Sequence, residues 1–77
     1  MLHNLALVVR RRGDLTEAER LMRRAVNATP DEAFFQNSLG AILRSAGKLD
    51  EAETAFRTAI TMRPELVDSH YNLGLLL

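Results

Sequence analysis

The sequence contains no cysteine, which excludes disulfide bonds and thiolate metal sites and is compatible with a reducing compartment. The longest apolar run near its start, Leu5–Val9, is too short to span a bilayer. Arginines follow that run, whereas a signal peptide carries its charge in front of its apolar segment. We therefore expect a cytoplasmic protein with no membrane partner.

An excess charge of one sign is also lacking, because Lys plus Arg and Asp plus Glu both total 10. The aromatic residues are only three phenylalanines and one tyrosine. Balanced charge and few aromatic side chains argue against nucleic-acid binding. We interpret the one basic concentration as solvated helix faces and helix C-termini that complement the helix dipole. It comprises Arg10, Arg11, Arg12, Arg20, Arg23 and Arg24.

Catalytic and cofactor motifs are missing too. The two histidines, His3 and His70, do not form a His-x-x-x-His pair, and the chain has no glycine-rich phosphate loop. We interpret His70 as a residue of helix packing or of a groove edge rather than a general base. The sequence therefore predicts no enzyme activity, no cofactor and no metal site.

The chain does contain a repeated segment. The string GDLTEAERLMRRA, at 13–25, returns as GKLDEAETAFRTA at 47–59, an offset of 34 residues. The same offset aligns Leu5, Leu39 and Leu73. A fixed period of this length is the signature of a helical solenoid. Apolar residues at helical spacing predict an all-α fold of five helices, near 2–12, 16–28, 31–46, 50–62 and 65–77.

Local signals suggest where these helices begin. Thr16 with Glu19 fits a capping box, Asp50 is the counterpart of Thr16, and Thr29-Pro30 resembles a third start. Glu19–Arg23 and Glu53–Arg57 have the favourable i,i+4 order, which predicts ion pairs on solvated helix faces.

Two glycines, Gly40 and Gly74, lie inside predicted helices, where glycine costs about 1 kcal/mol relative to alanine. Close packing would compensate for that cost, because a position without a side chain lets a partner helix approach. We therefore expect both glycines to lie at helix contacts, with the small residues Ala18 and Ala52 on the partner helices.

These residues together resemble the tetratricopeptide repeat signature. In the second copy its order and spacing are matched by Leu39-Gly40, Leu43, Ala52, Phe56, Ala59 and Pro64. The resemblance covers the whole chain as repeats at 1–32, 33–66 and the start of a third at 67–77. It departs from the family in the usual tryptophan position, which holds Leu2, Gln36 and His70. It implies a right-handed superhelix of antiparallel helix pairs whose first helices line a concave groove for a peptide or protein.

Helix geometry locates that groove on the side opposite the packed face. The predicted groove residues are Asn4, Leu7, Arg11, Asn37, Ser38, Ala41, Arg44, Ser45, Tyr71, Asn72 and Leu75. Asn4, Ser38 and Asn72 would form a polar ladder, since amides can donate to and accept from any peptide backbone. The ladder and the string SHYNLG resemble repeat domains of O-linked N-acetylglucosamine transferases. The alternative function is thus a peptide-recognition arm of a larger enzyme, such as a glycosyltransferase.

The groove allows one further interpretation and excludes another. Its polar residues could simply be a solvated helix face. The terminal-carboxylate clamp of chaperone-binding relatives is excluded, because the matching positions include no lysine or arginine, and Asp68 would repel a carboxylate. Those positions are His3, Leu7, Ser38, Asp68 and Asn72.

The leucines of the last helix predict a homo-oligomer. Leu73, Leu76 and Leu77 would lack a following helix to cover them, and solenoids need polar caps and about three units for stability. The competing explanation is truncation, in which a further helix of a longer native chain would cover the same surface. Residues 1–30 carry six arginines and three acids, whereas residues 31–77 carry four basic residues and seven acids. This asymmetry would also favour one end meeting the other.

Overall fold

The structure, a computed structural model, describes residues 5 and 14–76. Within these residues four helices form and no strand does. They are α1 (Leu15–Ala28), α2 (Ala33–Ser45), α3 (Leu49–Met62) and α4 (Val67–Leu76). The all-α prediction is confirmed. The described part has one helix fewer than the five predicted, because the helix near 2–12 lies outside the described residues except for Leu5, which is helical.

The predicted starts of α1 and α3 are wrong by one residue, and their caps differ. The Asp14 carboxylate accepts a hydrogen bond of 3.1 Å from the backbone N–H of Glu17, so α1 begins at Leu15 and Thr16 lies in its first turn. Asp14 rather than Thr16 caps α1, because its carboxylate reaches the backbone N–H of the residue three positions later. Lys48 precedes α3 without a side-chain cap. Asp50 therefore lies in the first turn, where its charge complements the helix dipole.

The start signal at Thr29-Pro30 is also wrong in register. The Glu32 carboxylate accepts from the backbone N–H of Phe34 at 3.1 Å, and α2 begins at Ala33. Pro30 lies in the preceding turn rather than in the first turn of the helix. The Glu32 carboxylate pairs with one of the backbone N–H groups that have no partner at the start of a helix. A proline side chain at the start of the helix has no acceptor to offer such a group.

The turn between α2 and α3 depends on a glycine. Gly47 has φ +81°, a left-handed conformation that a side chain disfavours. The Lys48 N–H donates to the Leu43 carbonyl at 2.9 Å across this turn, which satisfies a carbonyl at the end of α2. The chain thereby reverses, so α2 and α3 lie side by side.

The core lies where α1, α2 and α3 meet. Its largest fully buried apolar side chains are Phe56, Met22, Ile42 and Leu43. A Cβ at Gly40 would lie 2.5 Å from Cε1 of Phe56, so the expected close contact is confirmed there. The same expectation is wrong for Gly74, where no neighbouring group of the described residues lies within 4 Å of the Cβ position. Identical positions in the repeat thus have different surroundings.

No helix in the described residues is long and apolar enough to cross a membrane.

Candidate peptide groove

A polar network joins α2 to α4 on one face of the molecule. The side-chain oxygen of Asn37 accepts two hydrogen bonds of 3.1 Å, one from the Ser69 hydroxyl and one from the Asn72 amide. Arg44 donates to the Asn72 side-chain oxygen at 3.4 Å. Ser69 is fully buried and Asn37 is nearly so. The network therefore holds the Asn72 amide in one orientation.

A cavity of about 220 Å³ opens over this network. Its lining consists of Asn37, Ser38, Ala41, Arg44, Asp68, Tyr71 and Asn72. Six of the predicted groove residues thus lie together, and Asp68 joins them. Ser45 and Leu75 are exposed but do not line the cavity. Asn4, Leu7 and Arg11 lie outside the described residues.

Asn72 has a different environment from the one that the ladder prediction assumed. One amide hydrogen and one lone pair of the side-chain oxygen are used within the network. A side-chain amide has two donor hydrogens and two acceptor lone pairs. One of each consequently stays available to a ligand, and their directions are set by Asn37 and Arg44.

Ser69 is a residue of this site that the sequence prediction missed. Its hydroxyl is fully buried between α2 and α4 and bonds to Asn37. The available signal was its spacing, since Ser69 precedes Asn72 by three residues and therefore shares its side of the helix.

Two opposite charges of the groove lack ion-pair partners. Within residues 14–76 Arg44 pairs with no carboxylate and Asp68 pairs with no cation. Arg44 is half-buried and Asp68 is exposed. Tyr71, 59% exposed, lines the same cavity one turn after Asp68 on α4. A bound segment could therefore neutralise Arg44 with an acidic residue and Asp68 with a basic one.

A second polar cluster links α1 to α3 and goes beyond the solvated face that the sequence predicted. Glu19 accepts from Arg23 on its own helix at 3.0 Å, as expected, and from Lys48 at 2.9 Å. Arg23 also pairs with Glu51 at 2.9 Å. The i,i+4 pair is thus part of an interhelical network. The Lys48 ammonium, followed by the Arg23 guanidinium, lowers the pKa of Glu19 below its ordinary value of 4.5.

Glu19→Gln is expected to lower the free energy of unfolding at pH 7 by about 1 kcal/mol, because the carboxylate pairs with Lys48 across the helices and with Arg23 on its own helix. Because the pKa of Glu19 is lowered in the folded state, its carboxylate stabilises the fold at pH values above its ordinary pKa. That stabilisation is lost as the pH falls through the pKa of the folded state. The stability difference between parent and variant should therefore shrink below pH 4.5. Urea titrations at several pH values measure it. A difference independent of pH would contradict the assignment, and exposed Glu65→Gln is the control.

Two of the three residues predicted for self-association lie on the face of α4 that packs against the rest of the molecule. Leu73 and Leu76 are half-buried and pack against the core cluster, and Leu77 lies outside the described residues. The exposed apolar side chains of α4 are instead Val67, Tyr71 and Leu75, which share one stripe. The surface beside Leu73 contains a cavity of about 380 Å³ between α3 and α4.

Metal-ligating groups do not cluster in the described part of the chain. His70 is within 2.7 Å of the Pro64 carbonyl, which fixes its ring against the turn that precedes α4.

A family model described as the tetratricopeptide repeat matches residues 1–65, which include both copies of the recurring segment. No curated protein matches the chain.

Proposed function

The chain belongs to the tetratricopeptide repeat family, whose members generally mediate protein–protein interactions, and on this premise we propose that it binds an extended peptide segment between α2 and α4. The observation that carries the proposal is the hydrogen-bonded network of Asn37, Ser69, Asn72 and Arg44 beneath an open cavity. Preorganised polar groups bind a ligand without a further ordering cost. The superhelix that the family implies would extend the groove along Asn4, Leu7 and Arg11.

The chemistry of the lining favours a polypeptide as the ligand. Asn72 retains one donor and one acceptor, which is the complement of a peptide unit. The exposed ring of Tyr71 offers apolar area to a side chain of the ligand. Arg44 and Asp68 favour ligands that place an acidic residue near the former and a basic one near the latter.

Asn72→Ala is expected to weaken binding of groove peptides about tenfold, because it removes the free amide groups and releases Arg44. The loss of affinity should be similar for peptides of different sequence, since Asn72 contacts the backbone of the ligand. Peptides selected from a random displayed library supply the ligands, and calorimetry measures their affinity.

The matched control is Asn27→Ala, which replaces an exposed asparagine of α1 that is distant in sequence from the described groove residues. Equal affinities of parent and Asn72→Ala would contradict the ladder, and a library that yields no peptide would contradict the groove itself. Circular dichroism must show the same helicity in all three proteins.

Two broader roles fit the same groove. The first is a non-catalytic scaffold located in the cytoplasm. The second is the recognition arm of a larger enzyme, such as a glycosyltransferase, whose catalysis would reside in another domain. Binding of a groove peptide is the property that both require.

Self-association through α4 is a separate proposal, supported by the cavity beside Leu73 and by the exposed stripe of Val67, Tyr71 and Leu75. We expect a dimer or a head-to-tail stack in light scattering at high micromolar concentration. Val67→Gln with Leu75→Gln should dissociate it, because both side chains are exposed and their replacement leaves the core intact. A parent that is strictly monomeric would contradict the proposal.

A further inference from the structure

The two opposite charges of the groove lie close together on one face of the molecule. Arg44 donates to the Asn72 side-chain oxygen at 3.4 Å, so its guanidinium lies at the level of Asn72. Asp68 precedes Asn72 by four residues on α4, which places it on the same side of the helix, about 6 Å away along the axis. Neither charge forms an ion pair within residues 14–76. The groove therefore presents a positive and a negative group about one helical turn apart.

Two ligand conformations have side chains at this spacing. In an extended peptide the side chains of residues i and i+2 share a face and lie about 6 to 7 Å apart. In a helix the residues i and i+4 are about 6 Å apart along the axis. The free donor and acceptor of Asn72 distinguish the two, because a helix uses its backbone N–H and C=O groups internally, whereas an extended peptide leaves them available. An extended ligand therefore satisfies both the charges and the amide.

The ring of Tyr71 favours one kind of basic residue. Tyr71 follows Asp68 by three residues and lines the same cavity. A basic side chain that pairs with Asp68 would thus lie beside the exposed ring, which attracts a cation. Arginine suits this place better than lysine, because its planar guanidinium can bind a carboxylate through two N–H groups and stack on an aromatic ring.

The charges also fix where a peptide lies along the groove. The 34-residue offset maps Asp68 onto Phe34 and Tyr71 onto Asn37, so the preceding repeat has no acidic residue at the equivalent place. Polar side chains that bind any peptide unit would by themselves let a peptide shift by one repeat. The pair of Arg44 and Asp68 allows one register only.

From this geometry we propose that the groove selects an extended peptide in which an acidic residue and an arginine are separated by one residue. The inference rests on the proposed function and adds a sequence motif to it. The acidic residue pairs with Arg44, the arginine pairs with Asp68 and stacks on Tyr71, and the peptide unit between them bonds to Asn72. The residue between the charges points away from the groove, because neighbouring side chains of an extended chain lie on opposite faces. Its identity is therefore unrestricted.

The probe is a set of capped peptides of about nine residues, too short to form a stable helix by themselves. Each contains one glutamate and one arginine among serines and alanines, in either order, with none, one, two or three residues between the charges. NMR titration of the whole chain measures each Kd, and the side-chain amide of Asn72 should shift. In one of the two orders, the peptide with one intervening residue should bind at least about fivefold more tightly than every other spacing.

A charge exchange at Asp68 identifies the partner of the basic residue. Asp68 is exposed, so Asp68→Lys keeps the fold. It should weaken binding of the best peptide about tenfold, and it should regain affinity when glutamate replaces the arginine of that peptide. The matched control is Asp50→Lys, since Asp50 is also an exposed acidic residue in the first turn of a helix but belongs to α3. This control should leave the Kd unchanged.

The peptide itself tests the role of the ring. Replacing its arginine by lysine should raise the Kd a few-fold in the parent, and this difference should disappear in Tyr71→Ala. Equal affinity for both peptides in the parent would contradict the stacking.

Several outcomes would overturn the inference. They are absence of binding by the whole peptide set, equal Kd values at all spacings, tightest binding with three residues between the charges, and no recovery of affinity in the charge exchange. Library peptides that bind at Asn72 without this motif would overturn the inference and leave the proposed function standing. A library that yields no groove peptide would remove both.

Discussion

Gly40→Leu is expected to lower the free energy of unfolding by more than about 3 kcal/mol, which is enough to unfold much of so small a chain. Even the first added carbon would lie 2.5 Å from Cε1 of Phe56, and that ring is fully buried. The ring belongs to the same core cluster as Met22, Ile42 and Leu43, which are also fully buried, so moving it would disturb the core. Either Phe56 leaves the core or α2 and α3 separate.

Chemical denaturation followed by helicity measures this effect, and the repeat itself supplies the control. Gly74→Leu makes the same substitution at the equivalent position, where no neighbouring group lies within 4 Å. It should raise stability by about 1 kcal/mol, since leucine favours a helix more than glycine does. The contrast between the two variants is the result of interest. Equal shifts in the denaturation midpoint would show that the contact of Gly40 with Phe56 is not as described.

Asn37→Leu is expected to cost about 2 kcal/mol, because it leaves the buried hydroxyl of Ser69 without its acceptor. Leucine has the same branched arrangement of heavy atoms as asparagine, so the substitution leaves no cavity. It also releases the Asn72 amide, so peptide binding in the groove should weaken together with stability.

The double variant Asn37→Leu with Ser69→Ala separates the two effects. Removing both polar partners is close to neutral when shapes are kept, so stability should largely return. Peptide affinity should stay low, because Asn72 still lacks its support. Stability that fails to return in the double variant would show that the cost arose from packing, and recovered peptide affinity would show that Asn37 does not orient Asn72.

Several elements of the site were predictable from the sequence because they depend on periodicity. The offset that aligns Leu39 with Leu73 also places Ser38 and Asn72 at equivalent positions. Helical spacing then puts Ala41 and Arg44 beside Ser38 on one face. Six predicted groove residues consequently line one cavity in the structure.

Helix ends were less predictable, since several residues near each end can supply a cap. Asp14 and Thr16 both have side chains suited to capping, and Asp14 does so. Glu32 caps α2 although Thr29 and Pro30 gave the more familiar signal. Which residue caps a helix depends on the direction in which the preceding turn leads the chain. Short-range sequence patterns do not specify this direction.

The sequence by itself determined the helical class, the 34-residue period and the faces on which side chains lie, because these follow from the spacing of residues along one helix. Only the tertiary structure decided what each face meets. It gave Gly40 an aromatic neighbour and left Gly74 open, although the two positions are equivalent in the repeat. It joined Glu19 to Lys48 and Asn37 to Ser69 across helices. A periodic sequence specifies equivalent positions, whereas contacts depend on which elements are adjacent, and the neighbours of α2 differ from those of α4.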